Sequence, residues 1–285
     1  MIQDIYPKKL INHYDAGKRP SQTSPVLRFN DKGAFLVRER EVEGKPVMCF
    51  PERKEFQTAS DERDFTFLFT IGTEDYFLLE NTALPVPDGC EYHSIREMRA
   101  NGWGPKDRVF AGATALQLYH WYQNNRYCGR CGTPTVRDTV ERAIKCPHCG
   151  NTIYPRIVPA VIVAVTNGDK LLVTKYARGF SQYALVAGFT EIGETLEETV
   201  QREVMEEAGL KVKNIRYYKS QPWGIVDDLL AGFYCDVDGS DEIHMDRFEL
   251  KLAEWRSRED VILQSDDFSL TNEMMMRFKE GREPR

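Results

Sequence analysis

The chain has 285 residues, a net charge of −6 at pH 7, and 41% hydrophobic, 29% charged and 11% aromatic residues. That length accommodates two compact units, since a domain takes about 100 to 200 residues, and the apolar share excludes bulk disorder. The acidic balance repels polyanions at long range and argues against nucleic-acid binding through a general basic surface.

From Val26 to about Leu84 the sequence reads as short strands and turns. Phe65, Phe67 and Phe69 alternate with polar or smaller residues, and Gly72 to Asp75 turns the chain into Tyr76 to Leu79. The pattern predicts an antiparallel β unit. Ala111 to Asn125 has no Pro and no Gly after Gly112, with Leu116, Tyr119, His120 and Gln123 at helical spacing, which predicts a helix closing this first domain. His120 on that helix is read as a packing residue, with metal ligation as its alternative.

Next come Cys128-Gly-Arg-Cys131 and Cys146-Pro-His-Cys149, two Cys-x-x-Cys knuckles separated by fourteen residues. Each knuckle puts two thiolates on one tight turn, and two facing turns complete the tetrahedral Cys₄ geometry of Zn²⁺. A redox pair or disulfides are the alternatives, but Gly132 and Gly150 just past each knuckle fit a zinc ribbon better. Four thiolates leave no position for water, so this zinc is expected to be structural. Seven cysteines in all, four of them so grouped, favour a reducing compartment. Cys49, Cys90 and Cys235 read as ordinary buried residues, and His148 as an exposed turn residue.

Val158 to Val165 is a near-continuous β-branched run, as expected of a strand buried on both faces, and Leu171 to Thr174 reads as its partner across Asn167-Gly168-Asp169. The longest apolar run, 157–165, is far short of the ~20 residues of a membrane helix, and the amino terminus shows no apolar signal core. A cytoplasmic protein with no membrane partner is expected. The polar residues from Lys279 onward are expected to fray. Three domains follow: 1–125, β-rich and closed by a helix; 126–155, the ribbon; and 156–280, a further strand-rich domain.

The stretch Gly188 to Leu210 reads GFTEIGETLEETVQREVMEEAGL. Thr195 and Glu198 form a capping box, Leu196, Val200 and Val204 form an apolar stripe, and Gly209 suits a left-handed stop, which predicts a helix from about Leu196 to Ala208. Glu203, Glu206 and Glu207 then crowd an arc of about 100°. Crowded carboxylates destabilise a helix unless a cation neutralises them, and hard oxygen ligands select Mg²⁺ or Mn²⁺. A solvated acidic face is the bland alternative. Arg202 is expected to pair with Glu194 and hold the loop before the helix, and Gly188 to permit a tight backbone turn.

The spacing of that stretch, a Gly, five residues, a Glu, seven residues, then Arg-Glu-apolar-x-Glu-Glu-x-Gly-apolar, resembles the Nudix box throughout. The order of parts, and Ser220-Gln221-Pro222-Trp223 about ten residues after the box, resemble the NADH pyrophosphatases among Nudix hydrolases. The resemblance implies an α+β or α/β fold, an αβα sandwich around a mixed sheet, preceded by a β-rich domain and a small zinc ribbon. It implies metal-dependent hydrolysis of the pyrophosphate of NADH or NAD to nicotinamide mononucleotide and AMP. Alternatives are NAD-cap removal from RNA or hydrolysis of a compound such as ADP-ribose. Glu207 becomes the leading catalytic carboxylate, with Glu206, Glu203 and Arg202 beside it. Ala187, through its carbonyl, Glu203, Glu207 and Glu249 become ligands of magnesium or manganese. Tyr154, Phe189, Gln221 and Trp223 would line the substrate pocket, Phe189 and Trp223 having core packing as their alternative. A homodimer is implied by the same resemblance. Because every box carboxylate is present, an enzyme is favoured over a zinc-ribbon protein that only binds nucleotides. The family signature continues Pro-Phe-Pro-x-Ser, whereas this chain has Gly224-Ile225-Val226-Asp227-Asp228, so weaker selectivity for NADH and poorer use of long RNA are expected. Gly102-Trp103-Gly104 lacks the third Gly of a Rossmann fingerprint, and no bound redox cofactor is expected.

Overall fold

The computed structural model describes residues 1–42, 44–56, 64–81 and 83–284. The chain divides into two compact units, one of residues 2–156 with 224–227 and one of Met1, 157–223 and 228–285.

In the first unit Phe65–Ile71 and Glu74–Leu79 form the expected hairpin, flanked in one four-stranded sheet by Leu10–Ile11 and Val26–Leu27. The expectation of a purely antiparallel unit is corrected here: Val26–Leu27 runs parallel to Phe77–Leu78. A second sheet joins Lys45–Cys49, Phe35–Val42 and Glu91–His93. Between the sheets Val26, Leu36, Phe65, Phe67, Phe77 and Leu79 pack into one aromatic-rich core.

The closing helix runs Lys106–Asn124, one turn earlier than the sequence predicts, with Pro105 as its N-cap. Gly112 lies inside it. A Cβ at Gly112 would stand 2.7 Å from the Phe35 ring, so the glycine lets the helix approach that ring closely. On the same helix Tyr119 stacks on Phe29 of the amino-terminal segment at 4.7 Å, and the His120 ring lies beside Tyr119. His120 is therefore a packing residue, outside the four-cysteine group. We expect Gly112→Ala to lose about 1–3 kcal/mol by overpacking, and a helix-stabilising gain in a denaturant titration would contradict this account of the contact.

In the second unit β1 (Val158–Asn167) and β2 (Lys170–Tyr176) form a hairpin in which Asn167 pairs with Lys170 and only Gly168-Asp169 turns. β3 (Val186–Phe189), α1 (Leu196–Ala208), β4 (Val212–Trp223), β5 (Asp228–Val237), β6 (Leu250–Ser257) and α2 (Leu270–Lys279) follow. The sheet order is β4-β5-β1-β2-β6, with β3 also on β1. β1 and β5 are parallel and the other pairs antiparallel, making the sheet mixed.

The apolar run of β1 explains the layering. Val161, Val163 and Val165 face a core shared with Val200, Val204 and Ala208 of α1. Ala160, Ile162 and Ala164 face the opposite core with Leu270, Met274, Met275 and Phe278 of α2. Successive side chains point to opposite faces of a strand, so only a continuous apolar run serves two helical layers. The result is the αβα sandwich expected.

The carboxy-terminal residues are not frayed as expected. Glu280 N–H donates to Met276 O at 3.0 Å, Arg258 pairs with Glu283, and Arg216 Nε donates to Pro284 O at 3.1 Å. Among the described residues no helix is long and apolar enough to cross a membrane.

Candidate active site

α1 forms where its local signals put it. Thr195 Oγ1 accepts from Glu198 N–H at 3.2 Å while Glu198 Oε2 accepts from Thr195 N–H at 2.7 Å, an arrangement contributing about 1 kcal/mol. Gly209 ends the helix with φ 70°, its N–H donating to Met205 O. The apolar stripe docks on the sheet and thereby draws two glutamates inward: Glu203 is 8% and Glu207 2% exposed, while Glu206 stays at the surface.

Arg202 organises the acids around it. Its Nε and Nη2 grip the two oxygens of Glu194 at 2.6 and 2.9 Å. Nη1 reaches Glu203 Oε1 at 2.7 Å and Glu206 Oε2 at 3.0 Å, and Nη2 also donates to Phe189 O at 2.9 Å. Bidentate, charge-assisted contacts fix geometry as well as charge. The Arg202 hydrogen bonds, chiefly, hold the Glu194 carboxyl down at about 2. The predicted pairing with Glu194 is present, and the guanidinium additionally spans Glu203 and Glu206.

Gly188 is corrected in its role. It lies within β3, paired with Val161, and not at a tight turn. A Cβ there would fall 1.9 Å from Glu203 Cδ, so the missing side chain makes the space that the Glu203 carboxylate occupies.

Glu207 differs from its neighbours. Both its carboxylate oxygens are buried without a hydrogen-bond partner, and the Ala187 amide faces the group without closing a bond. Burial, then the charges of Glu203 and Glu249, push its carboxyl up to about 8. Burial also raises Glu203, against the pull of Arg202. A buried carboxylate with no donor and with like charges around it is costly unless something cationic meets it. A divalent cation fits this site on that ground: Glu207 and Glu203 offer hard oxygen donors, and Glu249 adds charge from the turn just before β6.

Two further groups join the site that residue spacing does not reveal. Tyr176 ends β2 at a register shift against β6, and burial together with Glu207, Glu249 and Glu203 raises its phenol. Asp246 donates its N–H to Glu207 O at 3.0 Å, and its side chain accepts from Phe248 N–H at 2.8 Å, which pins the loop carrying Glu249 to the end of α1. A shift of this kind re-aims side chains beside sites, but its position is set by cross-strand pairing and leaves no mark in the local sequence.

The expected pocket residues separate. Phe189 is 54% exposed, directly after Gly188. Trp223 is half-buried against the core under α2. Gln221 is wholly buried: its Nε2 donates to Phe268 O at 2.7 Å and its Oε1 accepts from Leu270 N–H at 2.6 Å. That amide anchors the entry to α2, so in this structure its side chain presents no open surface. Tyr154 belongs to the other unit, where its hydroxyl donates to Glu141 Oε1 at 3.0 Å.

In that unit the two knuckles repeat one backbone pattern. Cys128 N–H donates to Thr133 O and Gly132 N–H to Cys128 O, at 2.9 and 2.8 Å; Cys146 N–H donates to Asn151 O and Gly150 N–H to Cys146 O, at 2.9 and 3.1 Å. Gly132 and Gly150 have φ of 75° and 70°, the left-handed turn that closes each loop. The four Sγ atoms lie within 4.8 Å of one another, with Cys128 to Cys149 at 3.6 Å and Cys131 to Cys146 at 3.4 Å. A tetrahedral zinc with Zn–S of about 2.3 Å needs S···S separations of roughly 3.8 Å, so the thiols fit such an ion with small adjustment. His148 is exposed in the second turn.

With this geometry in place, comparison with known proteins gives the class. A model of the NUDIX domain matches residues 156–278 and a model of the NADH pyrophosphatase zinc ribbon domain matches residues 123–154. A Haemophilus influenzae strain Rd protein named NAD-capped RNA hydrolase NudC is 39% identical over 237 residues, 81% of this chain and 87% of its own. The NudC of Pectobacterium atrosepticum is 44% identical over 141 residues, 49% of this chain and 54% of its own. For the NudC of H. influenzae strain PittEE the match is 38% over 174 residues, 60% of this chain. The chain spans 64% of the length of that relative. The chain belongs to the NADH pyrophosphatase, or NudC, family of Nudix hydrolases.

Two outcomes follow. Purified protein should carry about one zinc per chain by elemental analysis, and Cys128→Ser should lower both zinc content and thermal midpoint; full stability without zinc would contradict the fit. For Glu207, the folded chain keeps the proton up to about pH 8 whereas an ordinary carboxyl loses it near 4.5. Its contribution is thus full below pH 4.5 and lost as pH rises through 8. Without added divalent cation, the wild-type midpoint should fall over that window by several degrees more than that of Glu207→Gln, and parallel pH profiles would show that the carboxyl is not so raised.

Proposed function

We propose that this protein hydrolyses the pyrophosphate bond of a dinucleotide, NADH or NAD, to nicotinamide mononucleotide and AMP. The single observation that carries the reading is the buried, unpartnered carboxylate of Glu207 on the box helix, with Glu203 and Glu249 close by. The acids point to Mg²⁺ or Mn²⁺, held by Glu203, Glu207 and Glu249 with the Ala187 carbonyl. Such an ion, when bound, supplies charge compensation for the pyrophosphate and a polarised water. Arg202 keeps Glu203 and Glu206 in register for that water, and Glu207 must give up its proton before it binds. Phe189, exposed beside Gly188, offers a stacking face, and Trp223 is assigned to the same pocket. We take Gln221 as the support of that pocket.

We divide the chain into a β-rich domain (1–125), a zinc ribbon (126–155) and a hydrolase domain (156–280); the two family matches support the ribbon and the hydrolase part. The ribbon thiols support zinc. A homodimer in the cytoplasm is our further reading, supported by the family resemblance and by a thiolate cluster suited to a reducing compartment.

Removal of NAD caps from RNA is the second reading, and the relatives' name favours it. Net charge of −6 and Asp227-Asp228 after Trp223 weigh against long RNA. A panel of NADH, NAD, ADP-ribose, a diadenosine compound and NAD-capped RNA, assayed with Mg²⁺ and with Mn²⁺, decides between them. We expect compact dinucleotides to be the best substrates and Glu207→Gln to lower kcat by ~10² or more, at least ~3 kcal/mol of transition-state stabilisation. Near wild-type turnover in that variant, or no hydrolysis of any dinucleotide, would overturn the proposal.

A further inference from the structure

The amino-terminal unit holds a cavity of about 310 Å³, bordered by Phe35–Val42, Lys45–Cys49, the segment 50–55 and the start of the helix Lys106–Asn124. That is at the small end of the range for small-molecule sites, ~300–1,000 Å³. Nothing in the chemistry of the acidic helix uses it.

Its walls are charged, and the charges are mostly matched. Arg38 Nη2 donates to Glu55 Oε2 at 2.6 Å and to Asp88 O at 2.7 Å. Arg108 Nη2 donates to Glu74 Oε1 at 2.6 Å and its Nη1 to the Tyr76 hydroxyl. Lys54 Nζ stands 2.5 Å from Glu52 Oε2. Three ion pairs therefore hold the walls in fixed positions.

Arg40 is the exception. It also borders the cavity, from the strand Phe35–Val42 opposite Val47, and has no ion-pair or hydrogen-bond partner among the described residues. Four cationic side chains face three carboxylates there, a local surplus of positive charge in a chain of net charge −6. Self-satisfied ion pairs need no ligand, but a bare guanidinium on the wall of a preformed cavity matches a phosphate in shape and charge. Around it the carboxylate oxygens and the Thr23 hydroxyl offer acceptors for sugar hydroxyls, with Phe50 also lining the cavity. A bare inorganic anion would leave those acceptors unused.

We propose that this cavity is a second binding site, for a small phosphorylated sugar, with the phosphate on Arg40 and the hydroxyls on the carboxylates and Thr23. The site stands apart from the hydrolase reading and does not depend on it.

The test is calorimetric titration of the full zinc-loaded chain, without added divalent cation, using ribose 5-phosphate, ribose and inorganic phosphate as separate probes. Ribose 5-phosphate should bind at least tenfold more tightly than either ribose or inorganic phosphate. Arg40→Ala should weaken it tenfold or more with an unchanged melting curve, because Arg40 is exposed and unpartnered. Thr23→Val serves as a second variant, expected to weaken ribose 5-phosphate and leave inorganic phosphate unaffected. Binding that Arg40→Ala does not change, or no binding of ribose 5-phosphate at millimolar concentration, overturns the site. Equal affinity for ribose 5-phosphate and inorganic phosphate overturns the sugar part of the assignment.

Discussion

Burial of Glu207 is the constraint around which the catalytic unit is arranged. A carboxylate on the inner face of α1 needs the sheet to leave room, and β3 does so through Gly188, whose missing side chain admits Glu203. It needs the surrounding like charges held at set distances, which Arg202 does through Glu194, Glu203 and Glu206. It also needs the loop before β6 fixed, and Asp246 ties that loop to the last turn of α1. Each device spends local stability on geometry that only a cation can turn to advantage.

Such a site is legible in sequence because its costs fall on spacing. Three carboxylates within one turn and a half, a capping box and a helix-stopping glycine are all local, and α1 begins and ends where they put it. The two knuckles are local as well, since each is a single turn with its own hydrogen-bond pattern. What the spacing missed depends on tertiary contact. Tyr176 reaches the acids because β2 slips its register against β6. Gly188 looks like a turn residue until its partner Glu203 is seen, and the reason for a glycine at 112 inside a helix shows only with the Phe35 ring. The parallel pairing of Val26–Leu27 likewise belongs to topology, and two residues carry no periodicity to announce it.

Gln221 and Trp223 illustrate a different limit. A motif shared with relatives names residues that matter together without saying which of them meets a ligand. Here the tetrapeptide lies at the end of β4, where pleating alternates the side chains: Gln221 turns into the interior to brace the entry of α2, and Trp223 leans on the same core. Both side chains thus bear on the core beneath α2.

The strand Val158–Asn167 carries a consequence of its own. Its odd-numbered and even-numbered side chains feed two separate cores, one of mostly β-branched residues under α1 and one with Met and Phe under α2. Adding or deleting a single residue inside the strand would exchange these two sets, pressing Ile162 toward the helix that bears the glutamates and Val163 toward the other. Point substitutions of similar size remain open to the lineage, whereas changes of length are not. Length is therefore fixed inside the strand, and the connecting loops are where the unit can take insertions.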